Sequence, residues 1–460
     1  MKQTLILSVM AAALMACSPT APDTAKEMTN TAVQNEATVE APEWSKDAVI
    51  YQINTRQYSQ SGTFKAVQDD LARIKSLGVD ILWFMPIHPI GEVKRKGSIG
   101  SPYAVKDFQA VNPDLGTLED FKSLVEAAHA QGMKVIIDWV ANHTAWDNVL
   151  MDSHPDWYTR DENGQMQHPP ETDWTDVADL DYSKQGLRDY MTESLLYWVR
   201  YVGIDGYRCD VAGMVPTDFW NAVRPKLDSV KPVFMLAEWQ KPELHEKAFD
   251  ASYAWRWKEI MQDIVKGEAV ASEIAGYYTN YQQNWPIGAM RMAYTENHDQ
   301  NTWDGSTDEI YGEAFGAALA LSFVGDGIPL IYNGQEADNQ KRLAFFEKDE
   351  IEWQVHPQQA LIAKLAALKE NNSALWNGTW GAPMEILPTS NPEQLFSFTR
   401  KDNASSIIAV FNLSDKPANM RFTTKLAEGD YKAFKTGEAV TLTADTKLSL
   451  EPWDYRIYIR

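Results

Sequence analysis

The chain has 460 residues, a hydrophobic fraction of 44% and a formal net charge of −22 at pH 7. This length exceeds one ordinary domain and suits a large domain with insertions plus a smaller appended one. The excess of acidic residues argues against nucleic acid and acidic surfaces as partners, because binding them requires basic patches.

The N-terminus carries a targeting signal. Residues 1–16 resemble a signal peptide, with a charged Lys2 followed by an apolar stretch. Residues 14–17 resemble a bacterial lipobox, which predicts that Cys17 is lipidated and becomes the first mature residue. We then expect a lipid-anchored protein of the bacterial cell envelope, at the outer membrane because Ser18 is not the aspartate of inner-membrane retention. A plain secretory signal, giving a periplasmic or secreted protein, is the alternative.

Residues 17–43 are rich in Thr, Ala, Glu, Asn and Pro and are expected to form a flexible tether. The only other cysteine of the chain is Cys209, so no disulfide framework is expected. No later apolar run is long enough to span a bilayer, so the predicted membrane contact is through lipid alone.

From residue 44 onward, apolar runs alternate with helical periodicity. Apolar residues recur at helical spacing over 64–77, and residues 117–120 predict a capping box that opens the next helix. Alternating units of this kind indicate a parallel sheet, and eight strands indicate a closed (β/α)₈ barrel. Strands are predicted at 48–53, 79–86, 135–140, before Asp210, before Glu238, near 249–253, before His298 and at 328–332.

Two segments depart from this alternation. Residues 144–177 carry turn residues and few periodic apolar positions, which predicts a loop-rich insertion between barrel parts 44–143 and 178–370. After residue 370 the helical period stops, and strand-like runs at 395–399, 406–411 and 455–459 predict a C-terminal antiparallel β domain over 371–460.

Acidic residues and histidines follow four of the predicted strands, at 138–143, 208–210, 238–239 and 296–299. In a (β/α)₈ barrel the carboxyl ends of the strands form the catalytic rim. Arg208 and Asp210 should share one face of their strand while Cys209 points away. A carboxylate beside a fixed guanidinium stays ionised. Arg-x-Asp alone is usually a structural ion pair, but the other three clusters favour a catalytic site.

The sequence closely resembles the α-amylase family of glycoside hydrolases (glycoside hydrolase family 13). Its four signature regions correspond, in order, to residues 138–143, 206–210, 238–239 and 297–299, with looser landmarks at 78–86, 101–103, 178–181 and 327–336. The resemblance extends from about residue 44 to the C-terminus. It implies a TIM barrel, a short domain B at the insertion and a C-terminal β-sandwich.

The resemblance also implies roles for individual residues. Asp210 would be the nucleophile of a retaining glycosidase, Glu238 its general acid/base and Asp299 a third carboxylate that steadies the transition state. Four further residues would contact the sugar or the nucleophile: Arg208 would hold Asp210 charged, His143 and His298 would donate to hydroxyls, and Tyr103 would stack on the ring.

The metal prediction rests on two positions. Asn142 and Asp179 stand where the family places side-chain calcium ligands, and oxygen ligands of this kind suit calcium. The alternative is that Asn142 simply braces loops. No organic cofactor is expected. The sequence departs from many α-amylases at Gly213 and Met214, which replace a Lys-His pair, whereas Val211 also occurs in relatives that act on α-1,6 bonds or cyclodextrins.

Three classes of function follow. The first is a retaining hydrolase of α-1,4-glucosidic bonds in starch and maltodextrins, with an α-glucan as the partner. The second is a glucanotransferase, an α-glucosidase or a cyclomaltodextrinase or neopullulanase on the same fold. The third is a non-catalytic glucan-binding protein, which the resemblance disfavours because such members have lost the three carboxylates.

Overall fold

The computed structural model describes residues 39–422, 424 and 428–460, which belong to one compact unit. The predicted signal peptide, Cys17 and the tether as far as residue 38 lie outside the described residues. Within the described part, no helix is both long enough and apolar enough to cross a membrane.

Eight parallel strands close into the predicted barrel, in the order β1-β10-β9-β8-β7-β6-β3-β2. Each predicted barrel strand is confirmed, most with slightly shorter bounds than expected. The strands of the barrel and of the insertion are β1 (Ile50–Ile53), β2 (Ile81–Phe84), β3 (Lys134–Trp139), β4 (His143–Ala145), β5 (Val177–Asp179), β6 (Gly206–Cys209), β7 (Phe234–Ala237), β8 (Ala251–Tyr253), β9 (Met290–Tyr294) and β10 (Ile328–Tyr332).

Helices surround the barrel, and the periodic run at 64–77 forms two short helices rather than one. The predicted capping box is present, with Thr117 and Asp120 exchanging hydrogen bonds at the start of α4. The helices are α1 (Thr55–Tyr58), α2 (Phe64–Asp69), α3 (Leu71–Ser76), α4 (Leu118–Ala130), α5 (Leu150–Ser153), α6 (Gln185–Tyr197), α7 (Thr217–Asp228), α8 (Trp255–Lys266), α9 (Ala271–Asn284), α10 (Thr307–Tyr311), α11 (Phe315–Val324) and α12 (Pro357–Glu370).

Strand alternation divides the core into two layers. In β2, Ile81 and Trp83 fill the barrel interior while Leu82 and Phe84 pack under the helices. The same period places Cys209 of β6 in the outer layer. Arg208, one residue earlier, therefore faces the interior, as predicted.

The insertion is bounded by a small antiparallel pair, β4 with β5, in which His143 lies opposite Asp179. This pairing joins the two ends of the segment for which the insertion 144–177 is predicted. Since β4 closely follows β3, this pairing holds the insertion at the carboxyl end of the barrel.

The C-terminal domain is a sandwich of two antiparallel sheets, as predicted. One face of the larger sheet packs on the barrel, where Phe396 stacks on Tyr278 of α9 with ring centroids 5.9 Å apart. The larger sheet has the order β11-β12-β13-β18-β15-β16 and the smaller pairs β14 with β17. Their bounds are β11 (Met384–Ile386), β12 (Leu395–Lys401), β13 (Ser406–Asn412), β14 (Ala418–Arg421), β15 (Gly429–Ala433), β16 (Ala439–Leu442), β17 (Lys447–Leu450) and β18 (Tyr455–Ile459).

Candidate active site

A cavity of about 530 Å³ opens at the carboxyl ends of the barrel strands. The structure brings the predicted site residues together there, because they follow β3, β6, β7 and β9 or lie on the loop after β2. Those that line the cavity are Tyr103, His143, Asp210, Glu238, His298 and Asp299. Arg208, fully buried inside the barrel, contacts Asp210 and Glu238. A cavity of this size with converging polar groups is typical of a small-molecule site.

Arg208 contacts three carboxyl groups. Its guanidinium contacts Asp138 Oδ1 at 2.7 Å, Asp210 Oδ1 at 2.9 Å and Glu238 Oε1 at 2.7 Å. The contact with Asp210 on which the predicted role of Arg208 depends is present, and Asp138 and Glu238 share the same guanidinium. One positive charge shared among three buried acids leaves an excess of negative charge, which a proton on one carboxyl relieves.

The pKa values follow from this crowding. Burial, and then the neighbouring Glu238, raise the pKa of Asp210, while Arg208 opposes the rise. Burial also raises the pKa of Glu238, and the charge of Asp299 adds to the effect. Two coupled carboxyls beside one guanidinium are therefore suited to hold one proton between them, with one group ionised as a nucleophile and the other protonated as an acid.

Val211 positions the side chain of Glu238 through its backbone. Its φ of 35° and ψ of 47° place this β-branched residue in the left-handed region, which is strained for valine. The conformation directs the Val211 N–H to Glu238 Oε2 at 2.7 Å. With Arg208 on Oε1, both carboxyl oxygens of Glu238 are held, so its orientation is fixed before any ligand arrives.

A hydrogen-bonded chain fixes His298 and Tyr103. The buried Gln52 of β1 accepts from the His298 backbone N–H, so its amide nitrogen donates to His298 Nδ1 at 2.7 Å. The proton of the imidazole then lies on Nε2, which donates to the Tyr103 hydroxyl at 2.8 Å. Tyr103 in turn donates to Asp138 Oδ2 at 3.0 Å. Burial lowers the pKa of His298 to about 3, so the ring is neutral and keeps this tautomer.

Gln52 and Asp138 were not among the predicted site residues. Asp138 accepts from Arg208, Tyr103 and Trp83, the last at 3.2 Å from indole Nε1, and so orients the guanidinium. A signal for Gln52 existed in the sequence, since a long polar side chain inside the apolar run of β1 must find a buried partner.

The comparisons with known proteins agree with this geometry. A family model described as "Alpha amylase, catalytic domain" matches residues 34–374, and one described as "Maltogenic Amylase, C-terminal domain" matches residues 384–457. The chain belongs to the α-amylase family.

Relatives within the α-amylase family cover most of the chain. A solved α-amylase of Lactobacillus plantarum is 32% identical, with a TM-score of 0.81 over 91% of this chain and 99% of that one. A solved maltogenic α-amylase, AmyB of Thermotoga neapolitana, is 31% identical, with a TM-score of 0.82 over 90% of this chain and 99% of that one.

Among curated proteins, the α-amylase MalA of Haloarcula japonica is 27% identical over 446 residues, which cover 90% of this chain and 63% of that protein. The chain spans about half to two thirds of the length of most of the curated relatives it matches.

His143 lies on β4, the first strand of the β4–β5 pair, which we call the insertion hairpin, and it lines the active-site cavity. Its ring is buried, and burial lowers its pKa to about 3. Its Nδ1 has no hydrogen-bond partner among the described residues. The Trp174 ring lies 5.6 Å away and lines the same cavity. Because the neutral ring lines the cavity, it is placed to contact a ligand hydroxyl there.

The packing of Trp239 explains why this chain has glycine at position 213, where many α-amylases have lysine. A Cβ at this position would lie 2.3 Å from the indole of Trp239, so the tryptophan packs directly on the glycine backbone. Lysine, which many α-amylases carry here, would require Trp239 to move. The Trp239 indole, with Lys241 Nζ 5.4 Å from its ring centre, therefore occupies the place beside Gly213 where many relatives carry the lysine side chain.

The predicted calcium ligands come together but are engaged with protein donors. The Asn142 amide donates to Asp179 Oδ1 at 3.4 Å, and the Thr159 hydroxyl donates to Asp179 Oδ2 at 2.8 Å. The described residues contain no group of three or more His, Cys, Asp or Glu side chains placed to hold a metal. Because Ca²⁺ takes about six to eight oxygen ligands, these contacts fit loop bracing better, and the calcium site stays a prediction.

Proposed function

We propose that this protein is a retaining glycoside hydrolase that cleaves α-1,4-glucosidic bonds in starch-type glucans and maltodextrins. The observation that carries the proposal is the Arg208 guanidinium, which contacts Asp210 and Glu238 together at the base of the cavity. The paired carboxyls supply the nucleophile and the acid that this reaction requires.

In the first step, Glu238 donates its proton to the glycosidic oxygen while Asp210 attacks the anomeric carbon. The carbon–oxygen bond to the leaving sugar breaks, and an ester forms between Asp210 and the remaining glycosyl unit. Asp299 stabilises the positive charge that develops on the sugar ring. Tyr103 packs against that ring, while His143 and His298 hold its hydroxyls.

In the second step, water takes the place of the departed sugar. Glu238, now ionised, removes a proton from this water as the oxygen attacks the anomeric carbon. The ester to Asp210 breaks and its carboxylate is restored. Two displacements on one carbon return the original α configuration, which defines the retaining outcome.

The test is product analysis on soluble starch, pullulan, maltose and cyclodextrin, with the anomeric form of the fresh product read by NMR. We expect maltooligosaccharide products from starch, released as the α anomer. Release of the β anomer, or no cleavage of any of the four, would contradict the proposal.

A transferase is the second candidate, and Trp239 is the observation that favours it. An indole surface packed on Gly213 beside the acid can hold an incoming sugar ring by aromatic contact and disfavour water there. The same product analysis separates the two reactions, since transfer from maltose gives oligosaccharides longer than the substrate whereas hydrolysis of maltose gives only glucose.

The site of action follows from the N-terminal sequence. Lipid on Cys17 holds the enzyme on a bacterial envelope membrane, and residues 18–43 place the catalytic domain away from the surface. We expect wild-type protein to partition into the detergent phase and to carry labelled fatty acid, which Cys17→Ser abolishes. Soluble protein with a mature N-terminus other than residue 17 would instead identify a plain signal peptide.

A further inference from the structure

A loop at one end of the active-site cavity contacts the segments on both sides of it. We call residues 91–100, which follow β2, the closing loop. On one side lies the insertion after β3, and on the other lies the loop after β10, residues 333–356. Since β10, β1, β2 and β3 are neighbours in the barrel, these three segments stand side by side around half of its rim.

The closing loop is tied to the insertion by two lysines. Lys96 Nζ lies 3.2 Å from Asp176 Oδ1 and donates to the Asp173 carbonyl at 3.0 Å. Asp176 is only 6% exposed, so loss of Lys96 would leave a buried carboxylate without its partner. Lys94 Nζ also lies 3.3 Å from the ring centre of Trp146, a cation–π contact.

The closing loop is equally tied to the loop after β10. The Ser98 N–H donates to Glu347 Oε1 at 2.9 Å, and the Ile99 N–H donates to the Phe346 carbonyl at 3.2 Å. A Cβ at Gly97 would lie 2.4 Å from Phe346 Cβ, so no space separates the two loops there.

Several residues that form these contacts also line the active-site cavity. Lys96, Asp173, Asp176 and Phe346 all line the cavity that contains the acids. Phe345, the residue before Phe346, lies parallel to Tyr103 with ring centroids 6.2 Å apart. The closing loop and the loop after β10 thus form a wall of the cavity directly next to Tyr103, the residue that packs on the reacting sugar.

The position of Glu238 shows which end of the substrate meets this wall. Glu238 protonates the leaving oxygen, so the leaving part of the chain lies on its side, after β7. In the barrel order, β7 stands opposite β1. The closing loop and its partners, centred on β1 and β2, therefore stand at the non-reducing end of a bound glucan.

We infer that the closing loop makes this enzyme act near the non-reducing ends of glucan chains, and that the Lys96 and Glu347 ties maintain this specificity. This inference rests on the proposed α-glucan hydrolase function. A glucan interior would have to pass through the tied loops, whereas a chain end needs only to enter the cavity. The product is then a short oligosaccharide released from the end of the chain.

The test compares two maltoheptaosides, one with a free non-reducing end and one with that end blocked by an ethylidene group. We expect wild-type enzyme to cleave the free chain and to have a kcat/KM lower by about a hundredfold on the blocked chain, because the block cannot enter the closed end. Comparable cleavage of both chains would overturn the inference and leave the proposed function standing. Cleavage of neither would contradict the proposed function instead.

The variant Lys96→Ala/Glu347→Ala tests the ties. We expect the ratio of blocked to free cleavage to rise by about tenfold or more as the loops separate. A matched control is Lys184→Ala, which removes an ion pair to Asp181 at 3.6 Å, just after the insertion, and touches neither the closing loop nor the cavity lining. A ratio equal to that of wild type in a double variant that melts cooperatively, or an equal rise in the control, would overturn the role given to the ties.

Discussion

At the scale of single residues, the site depends on how one guanidinium divides its charge among three carboxyl groups, two of which, Asp210 and Glu238, line the cavity. Removing Asp210 and removing Glu238 should therefore affect different steps of the reaction. We expect Asp210→Asn to lose at least about a thousandfold in kcat on starch and on an activated maltosyl fluoride alike, because both reactions need the nucleophile. Glu238→Gln should lose as much on starch but spare the first step on the fluoride, whose leaving group needs no proton.

The pH profile supplies the control for that experiment. Burial raises the pKa of Glu238 above the ordinary glutamate range, so its protonated form persists to higher pH. The wild-type kcat/KM on starch should fall as the pH rises through this value. In Glu238→Gln, the rate of the first step on the fluoride should not fall over this pH range. A few-fold loss on starch in either variant would contradict the assignment of the two carboxyls.

Gln52 provides a second test at this scale, because it acts only through His298. Gln52→Leu removes the amide that donates to His298 Nδ1, so the Nε2 proton is no longer held in place. We expect kcat/KM to fall by about tenfold to a hundredfold, as for other small misplacements in active sites. Steady-state kinetics with melting curves measure the effect.

Gln52→Glu separates this role from simple packing. The carboxylate matches glutamine in shape but accepts a hydrogen bond where glutamine donates, which favours the opposite tautomer of His298 or its protonated form. We expect activity to fall and its pH dependence to change at nearly unchanged volume. Activity within about threefold of wild type in both variants would mean that Gln52 only fills space.

At the scale of elements, strand periodicity predicted more of the site than loop sequence did. Arg208 and Cys209 lie on opposite faces of β6 because side chains alternate along any strand, so their directions could be read from the sequence. The ties between Ser98 and Glu347 could not, since the two residues are 249 positions apart and meet only when the barrel closes. Neither loop carries a periodic pattern that would indicate its partner.

The insertion hairpin gives the prediction that belongs to this scale. Asn142 and Asp179 join its two ends, with Thr159 completing the contacts of the carboxylate. If these hydrogen bonds alone brace the hairpin, treatment with a chelator should leave the melting temperature unchanged. Asp179→Ala should lower it, because Asn142 and Thr159 lose their acceptor in a buried place. A melting temperature that falls on chelation and is restored by calcium alone would show that the ion holds the hairpin.

At the scale of the whole molecule, buried histidines couple stability to pH. His88 lies between barrel and helices, packed edge-on against Phe108, Trp139 and Trp198, and donates from Nδ1 to the Ala110 carbonyl at 3.1 Å. Burial lowers its pKa to about 4. The unfolded chain binds a proton on this residue below about pH 6.5, whereas the folded protein does not until the pH approaches 4.

The sign of this effect is therefore a loss of stability as the pH falls from about 6.5 toward 4. Linkage converts the difference in pKa of His88 to about 2 kcal/mol of unfolding free energy between pH 8 and pH 5. His88→Phe keeps the aromatic packing but removes the titrating group, so it should be less stable than wild type at pH 8, by about 1 kcal/mol for the lost hydrogen bond. At pH 5 the variant should equal or exceed the wild type.

Melting temperatures of both proteins at the two pH values measure this crossover. Buried acids such as Asp250, whose pKa burial raises to about 6, act in the opposite direction, but they are common to both proteins and cancel in the comparison. Phe108→Leu, which loosens the same cluster without removing a titrating group, should destabilise equally at pH 8 and pH 5. A His88→Phe protein that remains equally less stable than wild type at both pH values would show that His88 gains its proton in the folded state as easily as in the unfolded one.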